Sequence, residues 1–155
     1  MSERSVNHAS FTLERSYDQS PARVYAAFAD RQEKTSWFGD PSLGTTEYAL
    51  DFRVGGRERS VGEMEGATYT FDAVYQDIVE NERIVYTYAM LQNDTRISVS
   101  LSTLEFHPAG DGTRLVYTEH GAFLDGLDTP EAREGGSGQL FDMLEQHLAK
   151  AAASA

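Results

Sequence analysis

YTFDAVYQDIVENERIVYTYAM, residues 69–90, holds two alternating runs joined by a short polar turn. Tyr69, Phe71 and Ala73 share one parity of the first run; Ile84, Tyr86, Tyr88 and Met90 share one parity of the second. Side chains alternate across a strand, so each run predicts a strand with one bulky face. Glu80-Asn81-Glu82 supplies the turn that makes them an antiparallel hairpin. The bulky face needs an apolar partner, since the other face of a single-layer sheet meets water.

The same grammar continues on both sides. Thr46–Phe52 and Glu58–Met64 alternate upstream, with Gly55-Gly56 as a tight turn or bulge between them. Downstream, Asn93-Asp94 turns into Ile97–Phe106, and Ala109-Gly110-Asp111-Gly112 turns into Thr113–His120. Ile97, Val99 and Leu101 share a parity there, as do Leu115, Tyr117 and Glu119. Six strands in a row result. Ahead of them, Phe11, Leu13 and Arg15 predict a first strand over 10–17. Ser20-Pro21 then starts a helix with Val24, Tyr25 and Phe28 on its apolar side. Asp30 and Glu33 repeat the capping-box pattern and open a second short helix, ending near Trp37-Phe38-Gly39. At the other end, Thr129-Pro130-Glu131 starts a long helix with Leu140, Phe141, Leu144 and Leu148 on one stripe. Gly135, Gly136 and Gly138 interrupt it, each costing about 1 kcal/mol relative to Ala. They predict either a break near residue 136 or a close approach of helix to sheet.

With no linker and no repeat, the chain reads as one α+β domain over residues 10–151, between a flexible 1–9 and a flexible 152–155. Its 155 residues suffice for a real core. It has no cysteine, hence no disulfide, thiolate nucleophile or cysteine metal site. No apolar run is long enough to span a membrane, so no membrane insertion is expected. The first residues lack the apolar core of a signal peptide, which makes the cytoplasm the expected location. A net charge of −12 repels phosphate backbones, so no nucleic-acid partner is expected.

Strand, two short helices, six antiparallel strands and a long helix is the element order of the helix-grip fold. The chain resembles the SRPBCC (START-like) superfamily from about residue 10 to residue 150. Within it, the chain is similar to the bacterial branch named after the activator of the heat-shock protein ninety ATPase. The resemblance is carried by Phe52-Arg53-Val54-Gly55-Gly56-Arg57-Glu58, Tyr75-Gln76-Asp77-Ile78-Val79 and Glu82-Arg83-Ile84-Val85-Tyr86. Gly112-Thr113-Arg114-Leu115 and Glu119-His120-Gly121-Ala122-Phe123-Leu124-Asp125-Gly126 complete it. Gly136-Ser137 stands where many members carry Trp, which would enlarge or open the cavity mouth. The resemblance implies a curved sheet gripping the long helix, with a cavity between them. It leaves function open, because lipid carriers, hormone receptors, cyclases and co-chaperone domains share the fold.

Parity then assigns the walls. Met64, Tyr69, Phe71, Tyr86, Tyr88, Met90, Val99 and Tyr117 are expected inside, facing Leu140, Phe141 and Leu144, with Trp37, Phe38 and Phe123 near the mouth. Buried tyrosine hydroxyls need partners, which implies water or a polar ligand group within. Glu58 shares parity with Met64, and Glu119 with Tyr117. If both point inward, two carboxylates in a partly apolar cavity suit general acid/base work; otherwise they pair with Arg57, Arg59 or Arg96, or bulges turn them outward. His8, His107, His120 and His147 lack metal-ligand spacing, so no metal is expected, and no cofactor is. The leading expectation is binding of a small hydrophobic or aromatic molecule with polar groups. One alternative is a cofactor-independent cyclase, dehydratase or hydrolase using Glu58 and Glu119. Another is a chaperone-interaction module, with a protein as its partner.

Overall fold

The computed structural model describes residues 3–153. Seven strands form one antiparallel sheet: β1 (Val6–Tyr17), β2 (Thr45–Leu50), β3 (Arg57–Met64), β4 (Ala67–Val79), β5 (Arg83–Gln92), β6 (Thr95–Ala109) and β7 (Gly112–Leu124). Their spatial order is β1-β7-β6-β5-β4-β3-β2, a meander whose last strand returns to pair with the first. Helices α1 (Pro21–Ala29) and α2 (Arg31–Trp37) follow β1, and α3 (Pro130–Ala153) closes the chain. This is the helix-grip fold.

Local chemistry explains the joints. The Ser20 hydroxyl accepts from the Arg23 amide at 3.2 Å with Pro21 in the first turn, and Asp30 accepts from the Glu33 amide at 3.1 Å. The Glu33 carboxylate does not return to Asp30 but meets Arg23 at 2.7 Å and His147 of α3 at 3.1 Å. Gly55 takes φ +84°, and a Cβ on Gly56 would collide with the Asp51 carbonyl, so the β2–β3 corner requires glycine.

Three sequence expectations shift. β1 begins at Val6 and not at residue 10, because Val6–Ala9 pair with Gly121–Leu124; residues 1 and 2 lie outside the described residues. α3 continues to Ala153, with residues 154 and 155 likewise outside. It also runs unbroken through its glycines. A Cβ at Gly135 or Gly136 would meet open space, and at Gly138 only the Arg15 guanidinium tip, at 3.2 Å. Neither a break nor a close backbone approach explains them; the helix is held from its two ends instead. Phe141, Leu144 and Leu148 are buried in the core, each worth about 1.5–3 kcal/mol by apolar burial, and Arg133 is buried in the first turn.

One bulge decides which side chains face α3. Met90 pairs with Ser98 but Leu91 with Arg96, leaving Ile97 as the extra residue of β6. Ile97 and Ser98 are both buried, and from Ser98 onward the inward set is Ser98, Ser100, Ser102, Leu104 and Phe106. Val99 and Leu101 therefore stand on the outer face, more than 40% exposed. The expectation that Val99 lines the interior is corrected: alternation loses its phase at a bulge.

Candidate functional site

A cavity of about 340 Å³ lies between the concave face of the sheet and the first turns of α3. Its walls include Phe38, Met64, Tyr69, Phe71, Tyr86, Tyr88, Met90, Tyr117 and Leu140, all read from parity, periodicity or resemblance. It continues inward to a recess of about 40 Å³ bounded by Phe28, Lys34, Trp37, Leu104 and Phe141. Phe38, Phe71, Tyr86, Tyr117, Ser137 and Leu140 border both spaces. The larger volume falls at the lower end of small-molecule sites, and the smaller holds about one water. Gly136 lies on the wall of the outer space, where its missing side chain leaves room.

Four expected residues take other places. Trp37 lies at the deep end and not at the mouth; it is 3% exposed and donates its indole N–H to the Ala27 carbonyl at 3.0 Å. Phe123 is buried behind the cavity wall, with the Arg133 guanidinium 5.4 Å above its ring, and Leu144 packs in the core beneath α3. Val99 stands on the outer face of β6.

Glu58 and Glu119 do point inward, 1% and 0% exposed. Neither pairs with the arginines suggested by sequence: Arg57 binds Asp72 at 2.8 Å and Arg59 binds Glu47 at 2.9 Å, both at the surface. Glu58 of β3 accepts from Lys34 of α2 at 2.7 Å, from Tyr48 at 2.6 Å and from Tyr75 at 2.5 Å. Glu119 of β7 accepts from Arg133 of α3 at 3.1 Å, from Tyr88 at 2.8 Å and from Tyr117 at 2.5 Å. Arg133 also donates to Tyr88 at 2.7 Å, to Ser98 at 2.7 Å and to Asp128 at 2.6 Å. Each carboxylate thus sits in a knot of one helix-borne cation and two tyrosines. Three donors per carboxylate offset the cost of burying its charge.

The knots also set the tyrosines. Burial, then the Glu58 carboxylate, pushes the Tyr48 and Tyr75 hydroxyls far above their ordinary range. Burial raises Tyr88 and Tyr117 in the same way, with Glu119 adding to it. All four stay protonated and donate. Tyr86 is also raised, by burial first and then by Glu119. Its hydroxyl touches neither carboxylate but lies within hydrogen-bonding reach of the Tyr117 and Ser102 hydroxyls, and its ring lines the cavity.

Lys34, Tyr48, Asp128 and Arg133 escaped sequence reading, and Ser137 entered it only beside Gly136 at the cavity mouth. A signal for two of them was present: counting back from Leu148 and Leu144 by threes and fours gives Phe141, Ser137 and Arg133, one helical stripe with a polar end. Lys34 likewise stands one turn before Trp37 and Phe38 on the apolar side of α2.

This architecture agrees with comparison to known proteins. The family model described as "Activator of Hsp90 ATPase homolog 1-like protein" matches residues 18–149. The chain belongs to this family. Among solved structures, the Mll3558 protein of Rhizobium loti is 46% identical with a TM-score of 0.87, over 92% of this chain and 99% of that one. A protein of Rhizobium leguminosarum is 39% identical with a TM-score of 0.91, over 96% and 99%. Ara h 8.0201, at 13% identity and a TM-score of 0.74 over 93% and 99%, shares the fold alone. A search of curated proteins finds no match. Among the described residues, no helix is long and apolar enough to cross a membrane.

Proposed function

We propose that this family member binds a small hydrophobic or aromatic molecule carrying a polar group in the cavity under α3. The carrying observation is a space of about 340 Å³ whose walls are mostly apolar or aromatic, beside buried polar side chains already tied to one another. Glu58 and Glu119 support the walls in this reading. Their donors compete with the proton-transfer role that a hydrolase or cyclase would ask of them. The family's name brings a chaperone partner into view, yet the cavity is the feature with specific geometry.

The test is fluorescence titration with the uncharged dye N-phenyl-1-naphthylamine. Wild type should give a saturable one-to-one rise. Gly136→Trp, which places an indole in the outer space, should abolish the rise while melting within a few degrees of wild type. A dye response untouched by that substitution, or none in wild type, would overturn the proposal.

A further inference from the structure

Which ligand chemistry fits the cavity is a question that rests on the ligand-binding reading, and the polar groups around the cavity decide it. The charged groups beside it are Lys34, Glu58, Glu119, Arg133 and Asp128. Each cation is already claimed: Lys34 lies 2.7 Å from Glu58, and Arg133 lies 3.1 Å from Glu119 and 2.6 Å from Asp128. Two cations therefore face three carboxylates. Arg133 is further held between aromatic rings, its guanidinium 5.4 Å from Tyr88 and 5.4 Å from Phe123. An incoming anion would surrender its hydration for a site with no spare positive charge and a negative surplus.

The polar groups outside these ion pairs are neutral. Ser137 is 8% exposed and borders both the outer space and the recess. A hydroxyl on the wall of such a space can donate to, or accept from, a ligand oxygen placed there. Tyr86 borders the same two spaces from the sheet side. Burial and Glu119 hold its proton in place throughout the neutral range, which keeps it a donor.

We propose that the cavity selects an uncharged aromatic ligand with one hydrogen-bonding oxygen, met by the Ser137 and Tyr86 hydroxyls, and rejects the carboxylate counterpart. Three naphthalenes of matched shape test this by calorimetry or NMR titration: 2-acetylnaphthalene, 2-ethylnaphthalene and 2-naphthoate. The ketone should bind at least about tenfold tighter than the carboxylate. Ser137→Ala and Tyr86→Phe should each weaken the ketone about fivefold and leave 2-ethylnaphthalene within about twofold. Naphthoate binding as tightly as the ketone would overturn the charge selection. Ketone affinity unchanged in both variants would overturn the role of the hydroxyls. In either case the ligand-binding reading stands. Failure of all three compounds to bind saturably would remove that reading, and this inference with it.

Discussion

The knots around Glu58 and Glu119 have the same parts and different settings. Each joins a strand carboxylate to a helix cation and to two tyrosines, so each welds a helix to the sheet. The Glu58 knot fixes α2 at the closed end, where the adjoining recess holds about one water. The Glu119 knot fixes the first turn of α3 beside the larger cavity, and its cation is shared with the part-exposed Asp128. The same bonding pattern thus stands beside a one-water recess in one place and beside the open cavity in the other. Buried pairs of this kind are weak sources of net stability but costly to break.

Removing the cations separates the two. Lys34→Met leaves Glu58 charged beside the smaller recess and should cost about 3–5 kcal/mol in urea unfolding. Arg133→Met leaves Glu119 where cavity water can reach its neighbours, and about 2–3 kcal/mol is expected. Equal losses would mean that the cavity does not hydrate the Glu119 knot, and the contrast would fail. Alkali probes the tyrosines of both knots. Tyr48, Tyr75, Tyr88 and Tyr117 are held protonated well above 10, whereas in the unfolded chain a tyrosine ionises near 10. Folded pKa values are raised, so this contribution is fully present below pH ~10 and is lost as pH climbs beyond it. Stability should fall by about 1.4 kcal/mol per pH unit for each such tyrosine. Tyr75→Phe and Tyr117→Phe should each remove one tyrosine's share of that slope, and a smaller change for Tyr117 would mark the wetter knot. The smallest effect is expected from Asp128→Asn, which keeps a hydrogen-bonding oxygen and drops a charge. Thermal melting should register a loss of about 1 kcal/mol or less, with no counterpart in the closed knot.

Much of the fold was legible in local pattern. The hairpin at 69–90, the capped starts at Ser20 and Asp30, and the stripe from Leu140 to Leu148 each rest on neighbours within a few residues. Most aromatic walls of the cavity followed from parity along unbroken strands. Val99 did not, because a bulge depends on how β6 meets β5 and not on β6 alone. Phe123 was misplaced for a different reason: only the arrival of Arg133 from α3 shows that it stands behind the wall. The inward turn of Glu58 and Glu119 was readable, but their partners were sought among strand arginines when helices supplied them. A cation on a helix carries no sequence mark of the strand carboxylate it will meet. The glycines of α3 marked a real feature whose meaning was spatial: at Gly136 the absent side chain is part of the cavity.

The pairing of β1 with β7 bears on how the chain is made. Val6 meets Leu124 and Tyr17 meets Thr113, partners about a hundred residues apart, while the other strands meet neighbours in sequence. At ribosomal speeds of about 5–20 residues per second, β1 waits on the order of ten seconds for its partner to emerge. During that interval its Phe11 and Leu13 are without the surface they belong to, and closing so wide a loop carries an entropic toll that adjacent hairpins escape. The strand made first is the one that must be joined last, so nascent chains of this architecture spend their longest vulnerable period with an unmatched amino-terminal ribbon.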